Sequence, residues 1–243
     1  MAVGVNYDVI IAGAGASGLL AAIRAAESGA SVLVVEKMKQ PGRKIRITGK
    51  GRCNITNSED LEDFIKKVYP NGKFLYPAFH EFYTWDIIAL LDEYGVSCKL
   101  ERGGRYYPKS DKAADVANAL FKKAKSLGVN FMFETALKTI NKTNDCLSSV
   151  IVSSEAGEQE LSCSKFILCT GGKSYPGTGS TGDGYRLAEQ VGHGVINPLP
   201  ALVALQTDSQ HLRLLDGLKL NIVMAVLRVQ GLPVGDDGGV VYF

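Results

Sequence analysis

One arrangement of apolar and polar positions recurs four times along the chain: an amphipathic helical stretch, a glycine, and then a β-branched or aromatic run. The four stretches read AAIRAAESG-ASVLVVE, IIALLDEYG-VSCKL, ALFKKAKSLG-VNFMF and YRLAEQVGHG-VI. A glycine takes the left-handed conformation without a Cβ penalty, so each glycine here predicts the end of a helix. These glycines are Gly29, Gly95, Gly128 and Gly192. Helices that alternate with strands in this way predict an α/β fold with a parallel central sheet.

Two helices can be predicted in more detail from the spacing of their apolar residues. The segment 78–94 predicts one continuous helix, with His80 off the apolar face and therefore solvated. The aromatic residues of 69–83 also have helical spacing, which favours core packing over a stacking surface. Another helix is predicted after Ser110, a candidate N-cap. Its apolar face is formed by Ala113, Ala117, Leu120, Phe121, Ala124 and Leu127.

The rest of the pattern is strand-like and predicts two domains. Residues 137–161 alternate short apolar pieces with polar turns, which predicts a β-meander attached to the sheet. From Pro198 the pattern changes to PLPALVALQ and LKLNIVMAVLRVQ, which is typical of a β-rich domain. We therefore predict a Rossmann-like domain over 1–197 and the beginning of a β-rich domain over 198–243. The final GDDGGVVYF sets a turn before a strand-like run, so we expect the chain to be cut within a strand.

Composition and charge exclude several classes of protein. The 243 residues are 46% hydrophobic and 21% charged, an ordinary globular balance with a net charge of only +2. So small a net charge does not favour nucleic acid or an acidic membrane as a partner. The chain has no apolar run of about 18 residues and no signal-peptide pattern, so we expect no membrane association. The cysteines and histidines lack metal-ligand spacing, so no metal site is predicted, and free thiols indicate a cytoplasmic protein.

The strongest local motif is a glycine-rich loop inside a strand–helix–strand unit. An apolar strand leads into Gly13-Ala14-Gly15-Ala16-Ser17-Gly18, and a helix and a second strand follow. The first glycine permits a tight turn, the second lets the backbone approach a pyrophosphate, and the third lets the helix pack closely. Glu36 ends the second strand, where a carboxylate can accept hydrogen bonds from ribose hydroxyls and would repel a 2′-phosphate. The unit predicts a site for FAD or NAD and disfavours NADP.

Two further segments bear on which nucleotide is bound. The loop GRKIRITGKGRCNITN contains five basic residues and no acid, so it can lie along a phosphate and reach a flavin ring. A solvated basic loop or an RNA patch is the alternative, although no aromatic residues are interleaved for base stacking. The strand FILCTGG ends in Thr170, Gly171 and Gly172, which suits a close approach to a cofactor. Asp183 begins the next helix, where helix capping and cofactor binding both remain open.

Taken in order, these motifs resemble the BaiN/YhiN-type family of bacterial flavoproteins. The matching segments are the GAGASG loop, GRKIRITGKGRCNITN, GRYYPKSDKAADV, ILCTGGKSYPGTGSTGDGYRLAEQVGH and PLPALVALQ. The resemblance implies FAD, an inserted second domain and an oxidoreductase that uses NADH or NADPH; one branch is associated with reducing double bonds in oxo bile acids. It also implies an adenine contact through the backbone of Leu137. Family members are longer and return to the first domain with a segment that closes over the flavin, which we expect this chain to lack.

The candidate site residues follow from the motifs and the resemblance together. Those expected at the cofactor are Gly13, Ala14, Gly15, Ala16, Ser17, Gly18, Glu36, Lys37, Arg43, Lys44, Gly51, Arg52, Cys53, Asn54, Leu137, Thr170, Gly171, Gly172 and Asp183. Arg52 and Lys44 are candidates to stabilise negative charge near the flavin, and Tyr175 is a candidate acid. Arg52 and Lys50 could lower the pKa of Cys53, although packing against the cofactor is the favoured role of this thiol.

The expected function is hydride transfer from NAD(P)H through the flavin to a small unsaturated or carbonyl-activated substrate. Two alternatives remain open at this point: a nucleotide-binding fragment without turnover, and a flavoprotein that acts on RNA.

Overall fold

The computed structural model describes residues 6–68, 70–144, 146–199, 225–226 and 240–241. The chain divides into two compact units, Met1–Pro198 and Leu199–Phe243. In the second unit, β10 (Ala225–Val226) and β11 (Val240–Val241) pair antiparallel. The strands predicted in 200–224 and 227–239 lie outside the described residues.

The first unit contains nine strands and seven α-helices within its described residues. The strands are β1 (Asn6–Ala12), β2 (Val32–Val35), β3 (Thr56–Asn57), β4 (Cys98–Glu101), β5 (Arg105–Pro108), β6 (Asn130–Met132), β7 (Ala136–Thr143), β8 (Cys146–Ser154) and β9 (Gly157–Leu168). The helices are α1 (Ala16–Glu27), α2 (Arg43–Ile47), α3 (Leu61–Lys67), α4 (Tyr76–Glu81), α5 (Thr84–Glu93), α6 (Ala113–Ser126) and α7 (Asp183–Gln190). Short 3₁₀ turns occupy Thr48–Gly51, Gly72–Leu75 and Pro176–Thr178.

The main sheet has the strand order β6-β2-β1-β9-β8-β7. The first four strands are parallel, and β8 and β7 continue the sheet as an antiparallel meander. The 12-residue strand β9 takes part in both patterns, because its first half pairs with β8 and its second half with β1. The predicted parallel sheet with an attached meander is therefore confirmed.

The core lies on both faces of β1 and β2, which explains why these strands are apolar throughout. Ile10 and Ile11 point to opposite faces, and both are fully buried. One face is covered by α1 and α6, the other by α7 and the meander. A smaller antiparallel sheet, in the order β3-β5-β4, stands apart from the main sheet.

The structure corrects two details of the predicted helices. The predicted helix 78–94 is two helices, because Phe82 and Tyr83 are extended and the Asp86 carboxylate accepts a hydrogen bond from the Tyr83 N–H. Ser110 is not the N-cap of α6, because Lys112 occupies that position. The Ser110 hydroxyl accepts a hydrogen bond from the Lys112 N–H.

The glycines predicted to end helices all take the left-handed conformation. Their φ angles are 84° at Gly29, 82° at Gly95, 81° at Gly128 and 94° at Gly192. Within the described residues, every helix is too short or too polar to cross a membrane.

Candidate nucleotide-binding cleft

A cleft of about 850 Å³ opens at the carboxyl ends of three neighbouring parallel strands. Gly13 follows β1, Glu36 follows β2, and Thr170 lies just beyond β9; all three residues line the cleft. In doubly wound sheets, this end of the sheet is where nucleotides bind. Fifteen of the residues predicted at the cofactor line the cleft: Gly13, Ala14, Gly15, Ala16, Ser17, Glu36, Lys37, Arg43, Lys44, Cys53, Asn54, Leu137, Thr170, Gly171 and Asp183.

The three glycines of the first loop have different surroundings. A Cβ on Gly13, where φ is +101°, would lie 2.4 Å from the Cys169 carbonyl oxygen, and a Cβ on Gly18 would lie 1.8 Å from the Gly13 carbonyl oxygen. Both glycines are therefore required by close packing. A Cβ on Gly15 would meet no atom within 4 Å, because this position faces the open cleft.

Helix α1 presents its N-terminus to this open space. Its first turn contains no acidic residue, and Gly15, its N-cap, provides no side-chain cap. The first N–H groups of a helix have no intrahelical acceptor and carry a partial positive charge. Ala16 and Ser17, the first two residues of the helix, line the cleft, so this helix end can accept a phosphate.

The Glu36 carboxylate is held in place by two backbone amides. Its Oε2 accepts a hydrogen bond from the Ala14 N–H at 2.7 Å, and its Oε1 accepts one from the Met38 N–H at 2.8 Å. A carboxylate has about four lone-pair sites, so acceptor capacity is left on the cleft side. The carboxylate thus ties the glycine loop to the end of β2 while it lines the cleft.

Lys37 and Asp183, both expected at the cofactor, pair with each other. The Lys37 Nζ lies 2.6 Å from Asp183 Oδ2 and 2.6 Å from Thr181 Oγ1. Burial opposes ionisation of Asp183, but the hydrogen bonds from Lys37 and Thr181 outweigh it and lower the pKa. The stability that this pair contributes is present above the ordinary pKa of an aspartate and is lost as the pH falls through the lowered one. Asp183 is the first residue of α7 and makes no side-chain cap there.

Two basic side chains of the cleft wall, Arg43 and Lys44, have no ion pair with the residues that the structure describes. The Arg43 side chain has no hydrogen-bond or ion-pair partner within the described part of the chain. The Lys44 Nζ lies 3.5 Å from the Ser174 hydroxyl and 5.7 Å from the centroid of the Tyr175 ring. These cations can attract an anionic ligand into the cleft.

Five predicted residues do not line the cleft: Gly18, Gly51, Arg52, Gly172 and Tyr175. Arg52 binds Glu101 and Asp111, so its charge is already matched. Tyr175 is 58% exposed and lies beside Lys44. The catalytic roles of Arg52 and Tyr175 stay predictions, because neither residue lines the cleft.

The alternative that Arg52 and Lys50 lower the pKa of Cys53 is wrong. Burial of this side chain, together with the neighbouring Cys98, raises the pKa of the thiol to about 11. The charge of Arg52 is engaged by carboxylates and does not stabilise a thiolate. Cys53 therefore packs as a neutral group in the cleft wall.

This raised pKa predicts selective alkylation. With iodoacetamide at pH 7.5 we expect modification of the exposed Cys146 and no measurable modification of Cys53, because the thiolate is the reactive form. Mass spectrometry of the tryptic peptides measures both sites in one sample. Faster labelling of Cys53 than of Cys146 would contradict the buried, neutral thiol.

An aromatic wall of the cleft was missed by the sequence analysis. The rings of Phe64, Phe79 and Tyr83 contact one another with centroids 5.3 to 6.0 Å apart, and all three line the cleft together with Phe82. All four are partly buried rather than part of the closed core. Their helical spacing indicates an apolar face correctly, but spacing cannot distinguish a face that covers a core from one that borders a cleft.

The parallel sheet, the glycine loop at its carboxyl edge and the acid at the end of β2 define a Rossmann-type dinucleotide-binding protein. The chain belongs to the HI0933-like family, whose Rossmann-domain profile matches residues 7–242. The resemblance read from the motifs is thereby confirmed. Among the described residues, no group of three or more His, Cys, Asp or Glu side chains could hold a metal ion.

Relatives with described activities match nearly the whole chain. A ribosomal RNA dihydrouridine synthase of Escherichia coli (strain K12) is 30% identical over 236 residues, which are 97% of this chain and 55% of that protein. A 3-dehydro-bile acid delta(4,6)-reductase of Clostridium scindens is 31% identical over 230 residues, which are 94% of this chain and 54% of that protein. The chain spans about half the length of these relatives.

Solved structures show the same fold. The open conformation of a flavocytochrome c3 fumarate reductase superimposes with a TM-score of 0.63 at 20% identity and covers 78% of this chain and 41% of that one.

Proposed function

We propose that the cleft binds FAD and that the protein is an oxidoreductase in which NADH or NADPH reduces a small unsaturated or carbonyl-activated substrate. The observation that carries the proposal is the open space beside Gly15, bordered by the N-terminus of α1 and by the Glu36 carboxylate. A side chain at position 15 would fill this space, whereas a pyrophosphate requires it. The residues present therefore fit the ADP half of the cofactor.

Residues beyond the ADP half favour FAD over NAD. Arg43 and Lys44 have no ion pair with any described residue, and they lie along the wall that continues to Cys53 and Asn54. FAD, when bound, would supply two-electron transfer between the nicotinamide and the substrate. In this proposal Glu36 accepts the ribose hydroxyls, the first turn of α1 faces the pyrophosphate, and Leu137 contacts the adenine through its backbone.

The chain's own chemical contribution is charge stabilisation near the reacting atoms. Lys44 lines the cleft and can stabilise negative charge that develops on a substrate oxygen. Tyr175, beside Lys44, is the candidate proton donor. The aromatic wall favours a substrate with a flat, largely apolar ring. Aromatic side chains pack well against such a ring and gain little binding energy from an open-chain polar substrate.

The absorption spectrum of the purified protein tests the proposal. We expect a yellow protein, or one that becomes so after incubation with FAD, whose flavin absorbance bleaches anaerobically on addition of NADH or NADPH. A colourless protein that cannot be reconstituted with FAD would overturn the proposal. Bound FAD that neither nicotinamide reduces would instead indicate nucleotide binding without turnover.

The aromatic wall gives a prediction for substrate binding. With NADH or NADPH as donor and menadione as a planar acceptor, Phe79→Ala should raise the KM for menadione about 10-fold, because a ring contact is lost. Reduction of ferricyanide, which needs no ring contact, should be unchanged. The matched control is Phe121→Ala, since Phe121 packs on Phe131 away from the cleft wall. An equal change in KM for both variants would count against an aromatic substrate wall.

Uridine in RNA is a second candidate substrate, and it too is an unsaturated ring activated by carbonyl groups. Arg43 has no counter-ion within the described residues, Lys50 is exposed on the same loop, and one relative is named for rRNA dihydrouridine synthesis. If RNA binds here, Lys50→Gln should weaken binding and reduce the slope of log affinity against log salt concentration by about 1. Affinity that is indifferent to this charge would exclude the loop as an RNA contact.

A further inference from the structure

Four charged side chains form a cluster beside the cleft, around the Arg52 guanidinium. Its Nε lies 2.8 Å from Asp111 Oδ1, and a terminal nitrogen lies 2.6 Å from that oxygen and 2.5 Å from Glu101 Oε1. The Lys99 Nζ lies 2.6 Å from Asp111 Oδ2 and 3.1 Å from Glu101 Oε1. Two cations and two carboxylates thus balance in one network, which we call the charge clamp.

The charge clamp joins three separate segments of the chain. Arg52 belongs to the loop that follows α2, Lys99 and Glu101 belong to β4, and Asp111 lies in the turn before α6. The guanidinium also lies 4.2 Å from the centroid of the Tyr107 ring on β5. The loop that contains Arg52 is therefore attached to the small sheet and to the start of α6.

Two residues at the Arg52–Asp111 contact have a strained backbone. Cys53, next to Arg52, has a φ of 63°, and Asp111 has a φ of 56°. Residues other than glycine lose about 1–2 kcal/mol in this left-handed conformation, so the surroundings must hold them there. Strained backbone of this kind is found at ligand sites more often than elsewhere. Cys53 and its neighbour Asn54 both line the cleft.

The exposure of the clamp argues that it does more than stabilise the fold. Its four side chains are between 31% and 42% exposed, and isolated ion pairs at such sites contribute little to stability. Two guanidinium nitrogens of Arg52 converge on the same Asp111 oxygen, and one of them also bonds Glu101; this two-pronged contact of charged groups fixes geometry more strongly than separate pairs do. Residues that border a cofactor must be held in defined positions, because their backbone has to approach the ligand at a defined distance.

We propose that the charge clamp is a positioning device that holds Cys53 and Asn54 as a wall for the flavin half of FAD. Arg52 acts through these neighbours and is a positioning residue. This inference rests on the proposed function, because it assigns a role to the wall of that same cleft.

FAD titration of variants of the full chain tests the clamp. Arg52→Gln and Asp111→Asn should each raise the Kd for FAD about 10-fold, the effect of one lost charge-assisted contact. Both should also shift the visible absorption and circular dichroism of the flavin that remains bound. Arg52→Lys keeps the charge without the two-pronged contact and should recover part of the wild-type spectrum. The control is Asp63→Asn, which breaks a surface pair with Lys66 and should change neither quantity.

The outcomes separate the clamp from the proposed function. If the wild-type protein binds no FAD, the proposed function itself is contradicted. If the wild type binds FAD, and Arg52→Gln binds it with the same Kd and the same spectrum, the clamp inference is overturned. Should Arg52→Gln fail to fold, Asp111→Asn, which removes the charge that pairs with both Arg52 and Lys99, decides by the same two readouts. Spectra identical to the wild type in that variant would also overturn the inference.

Discussion

Replacement of Gly15 by alanine is expected to abolish FAD binding while the fold stays intact. Gly15 has φ −78° and ψ −169°, extended values that alanine adopts without strain. The new methyl group would meet no protein atom within 4 Å and would project into the space proposed for the pyrophosphate. We expect the Kd for FAD to rise at least about 100-fold, equivalent to about 2.7 kcal/mol, with the melting temperature of the apo-protein almost unchanged.

Two further glycine variants serve as controls for Gly15→Ala. Gly18→Ala places a Cβ 1.8 Å from the Gly13 carbonyl oxygen, so it should lower the melting temperature as well as the affinity. Gly29→Ala adds only the strain of φ +84° in open space, about 1 kcal/mol, and should leave the affinity unchanged. Normal FAD binding by Gly15→Ala would contradict a pyrophosphate at this loop.

Glu36→Ala is expected to weaken FAD binding by about two orders of magnitude and also to destabilise the apo-protein. The variant loses the proposed acceptor of the ribose hydroxyls and leaves the N–H groups of Ala14 and Met38 without their present acceptor. A hydrogen bond to a charged group is worth about 1.5–3 kcal/mol, and an unsatisfied amide costs about 1–3 kcal/mol. Calorimetric FAD titration and thermal melts of the apo-protein measure the two effects separately.

The conservative variant and a surface control complete the Glu36 experiment. Glu36→Gln keeps one oxygen acceptor, so its affinity and stability should lie between those of the wild type and Glu36→Ala. Glu134→Ala removes an exposed carboxylate that lies 3.6 Å from the Lys39 Nζ and should change neither quantity. Wild-type affinity in Glu36→Ala would show that this carboxylate does not hold the cofactor.

The parts of the fold that could be predicted depend on neighbouring residues. The glycines that end the helices adopt positive φ as expected, because that preference belongs to the single residue. The glycine loop and Glu36 are brought to one cleft because the carboxyl ends of adjacent parallel strands meet at the same edge of the sheet.

Two predictions failed where the outcome depends on specific side-chain contacts and not on the spacing of apolar residues. The break between α4 and α5 depends on the extended backbone at Phe82 and Tyr83, inside a segment whose spacing is helical throughout. The alternative that Arg52 lowers the pKa of Cys53 fails because the guanidinium is bound by residues 49 and 59 positions further along the chain. No local pattern reveals such partners.

The alternation of helices and strands, the glycine loop and the acid that follows it can be read from the residues alone, because periodicity and backbone freedom are local properties. Which basic residues of the loop after Glu36 are available to a ligand depends on the folded chain: Arg43 and Lys44 line the cleft, whereas Arg52 is held in the charge clamp. The physical reason is that an electrostatic interaction depends on distance in space, and the carboxylates that neutralise Arg52 are brought to it by the packing of β4 and of the turn before α6.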